Sequence, residues 1–191
     1  MRWVALLCGM LLCLGCPRAT PPSPEEGPEA FLQKLEVRMQ AGLDMLYFSA
    51  MVEQYHDLCT GLYPVLTKTL EEGYDAFRQR NSVLYDAAVR YVMLPVAFAP
   101  FIEQAERDRI DRLVSTWMPV QAKSAMIAYL RGLSAAHRYS QCTDFKRDVL
   151  AGEYDAEKYV PQATKVIQDA EAEVAHWRSE QRNHNGYGRK R

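Results

Sequence analysis

Apolar residues recur along most of this chain at intervals of three and four, the spacing of one helix face. The pattern is cleanest towards the C-terminus. Ala156, Val160, Ala163, Ile167, Ala170, Val174 and Trp177 alternate steps of four and three, which predicts a helix with a coiled-coil-like packing seam. Near the N-terminus, Leu32, Leu35, Met39, Leu43, Leu46 and Ala50 predict a helix over 31–59. Ser23-Pro24-Glu25-Glu26 supplies start signals ahead of it, and Gly61 and Pro64 supply stop signals. Leu66, Leu70, Phe77, Leu84, Ala88 and Tyr91 predict a second helix from Pro64 to about Met93, with a kink or break at Gly73 or Asn81-Ser82.

Pro95 and Pro100 bracket an apolar turn, after which a helix is expected from about Pro100 to Trp117. Pro119 is expected to end it and to open the next, which reaches Tyr139, before a short piece over 143–150. No period-2 strand pattern competes. The expected fold is all-α, an antiparallel bundle of about five to six helices joined by short connections. The stretch Tyr91–Ile102 carries no charge. It is expected to be a buried corner between helices, with a partner-docking or membrane-touching loop as the alternative.

The first residues follow a different rule. Met1-Arg2 precedes an uncharged apolar run from Trp3 to Leu14, too short to span a bilayer but suited to the apolar region of a signal peptide. The stretch Leu12-Cys13-Leu14-Gly15-Cys16 resembles a bacterial lipobox, with Gly15 as the small residue and Cys13 where that class usually has leucine. The resemblance implies that Cys16 receives a lipid and becomes the mature N-terminus. An ordinary secretory signal cleaved near Gly15, and an uncleaved anchor, are the alternatives. Residues 17–28 hold five prolines and no apolar periodicity, as a semi-rigid tether would. The expected organisation is a signal peptide (1–15), a lipidated Pro-rich tether (16–28), a helical bundle (29–178) and a basic, disordered tail (179–191).

Composition narrows the partners. With 48% hydrophobic and 25% charged residues the chain is globular rather than disordered. Its 23 bases against 24 acids argue against nucleic acid as a partner. The expected partners are a membrane, through the N-terminal lipid, and a protein. Pro17 stands where an aspartate would resemble an inner-membrane retention signal, so the periplasmic face of the outer membrane is favoured. The basic C-terminus, Arg189-Lys190-Arg191 after Gly188, could touch anionic lipid or a cell-wall polymer; it also resembles a dibasic processing signal of eukaryotic secreted precursors.

Export also organises the cysteines. Cys8 and Cys13 leave with the signal, Cys16 takes the lipid, and Cys59 and Cys142 remain as a pair. An even pair in an oxidising compartment predicts a disulfide; two buried free thiols are the alternative.

Candidate chemistry is sparse. Glu-x-x-His occurs at Glu53/His56 and again at Glu173/His176. These residues resemble the ligand motif of di-iron carboxylate bundles, in which residues three apart share a helix face and reach one metal. Glu53 continues the stripe through Leu46 and Ala50, as a buried ligand would. His56, Cys59, His137 and Cys142 are a possible zinc set, although thiols outside the cytoplasm tend to oxidise. No nucleophile elbow, phosphate-cradling glycine loop or haem-attachment motif occurs. The run Glu103–Arg112 reads as a solvated helix face, and Tyr47, Tyr55, Tyr63, Tyr85, Tyr91 and Tyr129 fall on or near apolar faces. The reading is therefore a non-enzymatic envelope lipoprotein with no cofactor, with a metal-binding bundle or an unlipidated secreted protein as alternatives.

Overall fold

In a computed structural model, residues 28–97 and 104–187 are described. Every element there is helical: α1 (Pro28–Leu62), a 3-10 turn (Pro64–Leu66), α2 (Thr67–Ala97), α3 (Gln104–Arg112), a π-helical turn (Leu113–Trp117), α4 (Met118–Gly132), α5 (Ala135–Leu150), the single turn α6 (Ala156–Tyr159) and α7 (Pro161–Tyr187). These segments make four columns of an antiparallel bundle. α1 runs one way and α2 returns beside it. α3, the π turn and α4 follow end to end in the direction of α1. α5, α6 and α7 return as a single interrupted column. The expected signal peptide, most of the tether, and residues 98–103 and 188–191 lie outside the described residues.

α1 is the axis. Ala41, Met45, Phe48, Val52, Tyr55 and Cys59 are buried along one seam in steps of four and three. Gly42 and Leu46 are buried beside it. Because α2, α4 and α7 all pack on α1, its apolar residues are spread round more than one face. That is why the stripe read from sequence lies off the true seam. Leu35, Met39, Leu43 and Ala50 are only half-buried, and Glu53 is exposed rather than a buried continuation of the stripe.

α2 is unbroken through Gly73, Asn81 and Pro95. The two expected weak points are packing contacts instead. Gly73 lets α5 approach, since a Cβ there would stand 3.0 Å from the Cα of Lys146. Asn81 is buried and hydrogen-bonded, its amide donating to the Phe77 carbonyl at 3.0 Å.

Two helix boundaries also move. Pro119 breaks nothing, because the wider π turn shifts the hydrogen-bond register just ahead of this residue, which has no N–H to offer. The break comes at Leu133–Ser134. Leu133 is extended, and the Ser134 hydroxyl caps α5 by accepting from the His137 N–H at 3.3 Å. Arg138 reaches back to donate to the carbonyls of Leu130 (2.8 Å) and Leu133 (3.1 Å), satisfying the end of α4. The last column is interrupted where the sequence suggests one long helix: Val160 leaves the helical region and Pro161 starts α7. The seam survives the interruption, with Ala156, Ala163, Ile167 and Ala170 buried. α7 continues to Tyr187, past the boundary expected at residue 178.

The corner between α5 and α6 is tightly fixed. Gly152, at φ 77°, takes the left-handed conformation that ends α5. Its N–H bonds the Val149 carbonyl and that of Glu153 bonds Asp148, which is the Schellman arrangement. Arg80 of α2 holds Asp155 with two hydrogen bonds of 2.8 and 2.5 Å. The Asn81 side-chain oxygen accepts the Ala156 N–H at 3.1 Å, so one buried amide links α2 to the start of α6.

The α1–α2 contact is close enough to exclude a methyl group. A Cβ at Gly42 would stand 2.9 Å from both the Ala88 carbonyl oxygen and Val92 Cγ2. Gly42→Ala should therefore destabilise the bundle by about 1–3 kcal/mol in equilibrium denaturation. Gly61→Ala, with nothing within 4 Å of the new Cβ, should be neutral or stabilising by up to about 1 kcal/mol. Equal effects at the two glycines would contradict the packing described.

Candidate functional site

Cys59 and Cys142 are joined as a disulfide, their Cα atoms 5.6 Å apart, and both are buried. The bond links the last turns of α1 to the middle of α5. It also removes two of the four residues of the possible zinc set. His137, the third, is exposed at the start of α5.

His56, the fourth, is packed against α2. Its ring lies on Tyr74 with centroids 4.8 Å apart, and its Nδ1–H donates to Asp57 Oδ1 at 2.9 Å. Glu53 lies one turn earlier and exposed, on the rim of a small groove with Tyr85, Val114 and Met118.

The second Glu-x-x-His pair sits elsewhere. Glu173 is ion-paired to Arg38, and exposed His176 lies 3.3 Å from Glu180. Arg38 and His56 are both on α1, 18 residues apart, which is about 27 Å along the axis. The fold therefore puts the two pairs at different levels of the bundle, too far apart for their ligands to converge on a bridged metal pair. Among the described residues, no three His, Cys, Asp or Glu side chains gather to hold a metal ion.

What the fold does gather is rings. His56, Tyr74, Phe77, Phe48, Tyr159 and Tyr154 follow one another with centroid separations of 4.8 to 6.2 Å. The run ends on Tyr55 and Phe145, whose rings are 5.5 Å apart, close to the disulfide in chain position. Tyr129 lies near enough to interact electrostatically with Tyr55, Tyr154 and Tyr159. Four phenols from α1, α4 and the α5–α7 connection thus share one region. Tyr55 is buried, whereas Tyr159 and Tyr129 are exposed at its rim. Tyr154 and Tyr159 have no apolar periodicity to announce them, since both belong to the interruption of the last column.

Burial, followed by the neighbouring phenols, raises the Tyr55 and Tyr154 hydroxyls far above their ordinary value. Burial also pushes Tyr74 up to about 12. Tyr91 rises to about 12 through burial and through its hydrogen bond to Glu171 at 2.9 Å. Phenols held neutral in this way are poor proton acceptors or nucleophiles near neutral pH. They can pack and donate hydrogen bonds.

Two concavities among the described residues are equally modest. One, of about 240 Å³, is lined by Asp44 and residues 159–163. The groove beside Glu53 and Tyr85 holds about 100 Å³. Small-molecule sites usually offer about 300–1,000 Å³. Comparison with known protein families, curated proteins and solved structures finds no match to this chain.

The raised phenols give a pH prediction. Each stays protonated in the fold while its unfolded counterpart ionises near 10, so the stabilisation is complete below pH 10 and is lost as the pH rises above it. Denaturant midpoints should fall between pH 10 and 12, and less steeply in Tyr55→Phe than in the parent. Parallel curves for the two proteins would contradict the burial of the Tyr55 phenol.

Proposed function

We propose that this chain is a lipid-anchored protein of the cell envelope, acting through surface contacts with a protein partner rather than by catalysis. The observation that carries the reading is the Cys59–Cys142 bond. A disulfide inside a helical core fits a protein that matures outside the cytoplasm. It also uses both cysteines of the bundle, leaving Cys16 as the one cysteine between the apolar run and the bundle. Cys16 stands where the lipobox resemblance puts the lipid, ahead of a Pro-rich stretch suited to a tether. The outer membrane's periplasmic face is the proposed address.

Contact rather than chemistry is supported by the small concavities, the phenols held neutral and the separation of the two Glu-x-x-His pairs. Exposed apolar side chains such as Val65 and Trp117 offer contact area. Cys16→Ala should abolish incorporation of labelled fatty acid and shift the protein from the membrane to the soluble envelope fraction. A variant that fractionates and labels like the parent overturns the reading. Release without any lipid on the parent would favour an ordinary secreted protein.

A further inference from the structure

α2 is covered on most of its sides and open on one. It packs on α1, α5 and α7. The column of α3, the π turn and α4 packs on α1 and makes little contact with α2. One face of α2 is left without a neighbour, and it is apolar. Val83, Tyr85, Val89 and Met93 are 73, 43, 36 and 40% accessible there. At about 3.6 residues per turn, Val83, Asp86, Val89, Arg90 and Met93 fall within about a third of the helix circumference. Tyr85 stands at the edge of this face, where it shares a groove with Glu53, Val114 and Met118.

The charges on the face have an order. Between Gln79 and Met93 it carries one acid and one base, Asp86 and Arg90, both exposed. Arg80 points elsewhere, to Asp155. Asp86 has no ion-pair partner among the described residues. Arg90 lies 3.0 Å from Glu171 through Nη2, but its side chain is half exposed and its guanidinium has further N–H donors. The acid precedes the base by one turn. A face with that order is complementary to itself when reversed. About a two-fold axis at the level of Ala88, Asp86 of each copy meets the level of Arg90 of the other, and Val83 that of Met93. The two Val89 side chains flank the axis. In-register parallel pairing would instead set Asp86 against Asp86 and Arg90 against Arg90.

We infer that the open face of α2 pairs with the same face of a second copy of this chain, antiparallel and two-fold symmetric. Ion pairs between Asp86 and Arg90 close over an apolar contact of Val83, Val89 and Met93, fixing orientation as flanking charges do in paired helices. A face one helix wide lies at the small end of specific interfaces, so the dimer is weak and concentration-dependent. The inference goes beyond the envelope reading and stands without a lipid at Cys16. Antiparallel pairing sends the two α1 starts to opposite ends, an arrangement that a pair lying flat on a membrane accommodates.

The test is thiol cross-linking of the purified full chain in mild detergent, with Cys8, Cys13 and Cys16 changed to Ser so that an introduced thiol stands alone beside the disulfide. Under mild oxidation Val89→Cys should form disulfide-linked dimers at least about tenfold faster than Val65→Cys, because pairing holds the two thiols together. Val65 is the more exposed of the two and lies at the α1–α2 turn, so random collision favours the control. Adding Asp86→Arg to Val89→Cys should bring its rate down to that of Val65→Cys, whereas Asp86→Glu should keep it high. Equal rates for Val89→Cys and Val65→Cys, or a rate that Asp86→Arg does not change, overturn the inference and give the face to a different partner. Lipidation is read separately by cell fractionation, so failure of one reading does not count against the other.

Discussion

The Cys59–Cys142 bond is the constraint on which the rest of the structure leans. α1 is the axis of the bundle, and three of its neighbours hold it by long stretches of side-chain packing. α5 is different. It packs mainly along α2, held by the close approach at Gly73 and the Lys146–Glu72 ion pair of 2.6 Å. The disulfide and the Tyr55–Phe145 contact tie it to α1. Exposed ion pairs contribute little. The covalent bond is thus the strongest tie between the axis and the first half of the last column.

That column needs the tie because it is interrupted. A single helix from residue 135 to 187 would be held along its whole length by one seam. Instead α5 ends at Gly152, α6 is a single turn and α7 starts afresh at Pro161. The interruption is not slack: Arg80, Asn81 and the Schellman turn fix it from the α2 side. It also admits Tyr154 and Tyr159 into the ring series between Phe48 and Tyr55, which helical continuation would not place there. The bond, the corner and the phenols make one unit spanning α1, α2 and the last column.

How much was legible in the sequence follows from how many neighbours each segment has. The α7 seam was readable because that helix buries one face: Ala163, Ile167 and Ala170 fall where their spacing puts them. The α1 stripe lies off the buried seam because a helix surrounded on several sides has no single apolar face, and Glu53, which continues the stripe, is exposed. Pro119 resembles a stop, but a π turn absorbs it, and no local residue pattern announces that register shift. The true break at Leu133–Ser134 did carry signals, Gly132 before it and a capping serine after, weaker to the eye than a proline. The disulfide was legible by counting cysteines. The Glu-x-x-His pairs were legible as motifs but not as a site, because their separation depends on the bundle register, which spacing along one helix does not contain.

The address proposed for this protein and the stability of its fold meet in the same bond. The direct measurement is equilibrium denaturation of the purified protein before and after reduction, with thiols counted by alkylation in denaturant. The account predicts no alkylation of Cys59 or Cys142 before reduction. A loop of 83 residues' separation should make reduction cost about 4–5 kcal/mol of stability in the chain-entropy account. Two free thiols in the protein as purified, or a reduced form as stable as the oxidised one, would contradict it.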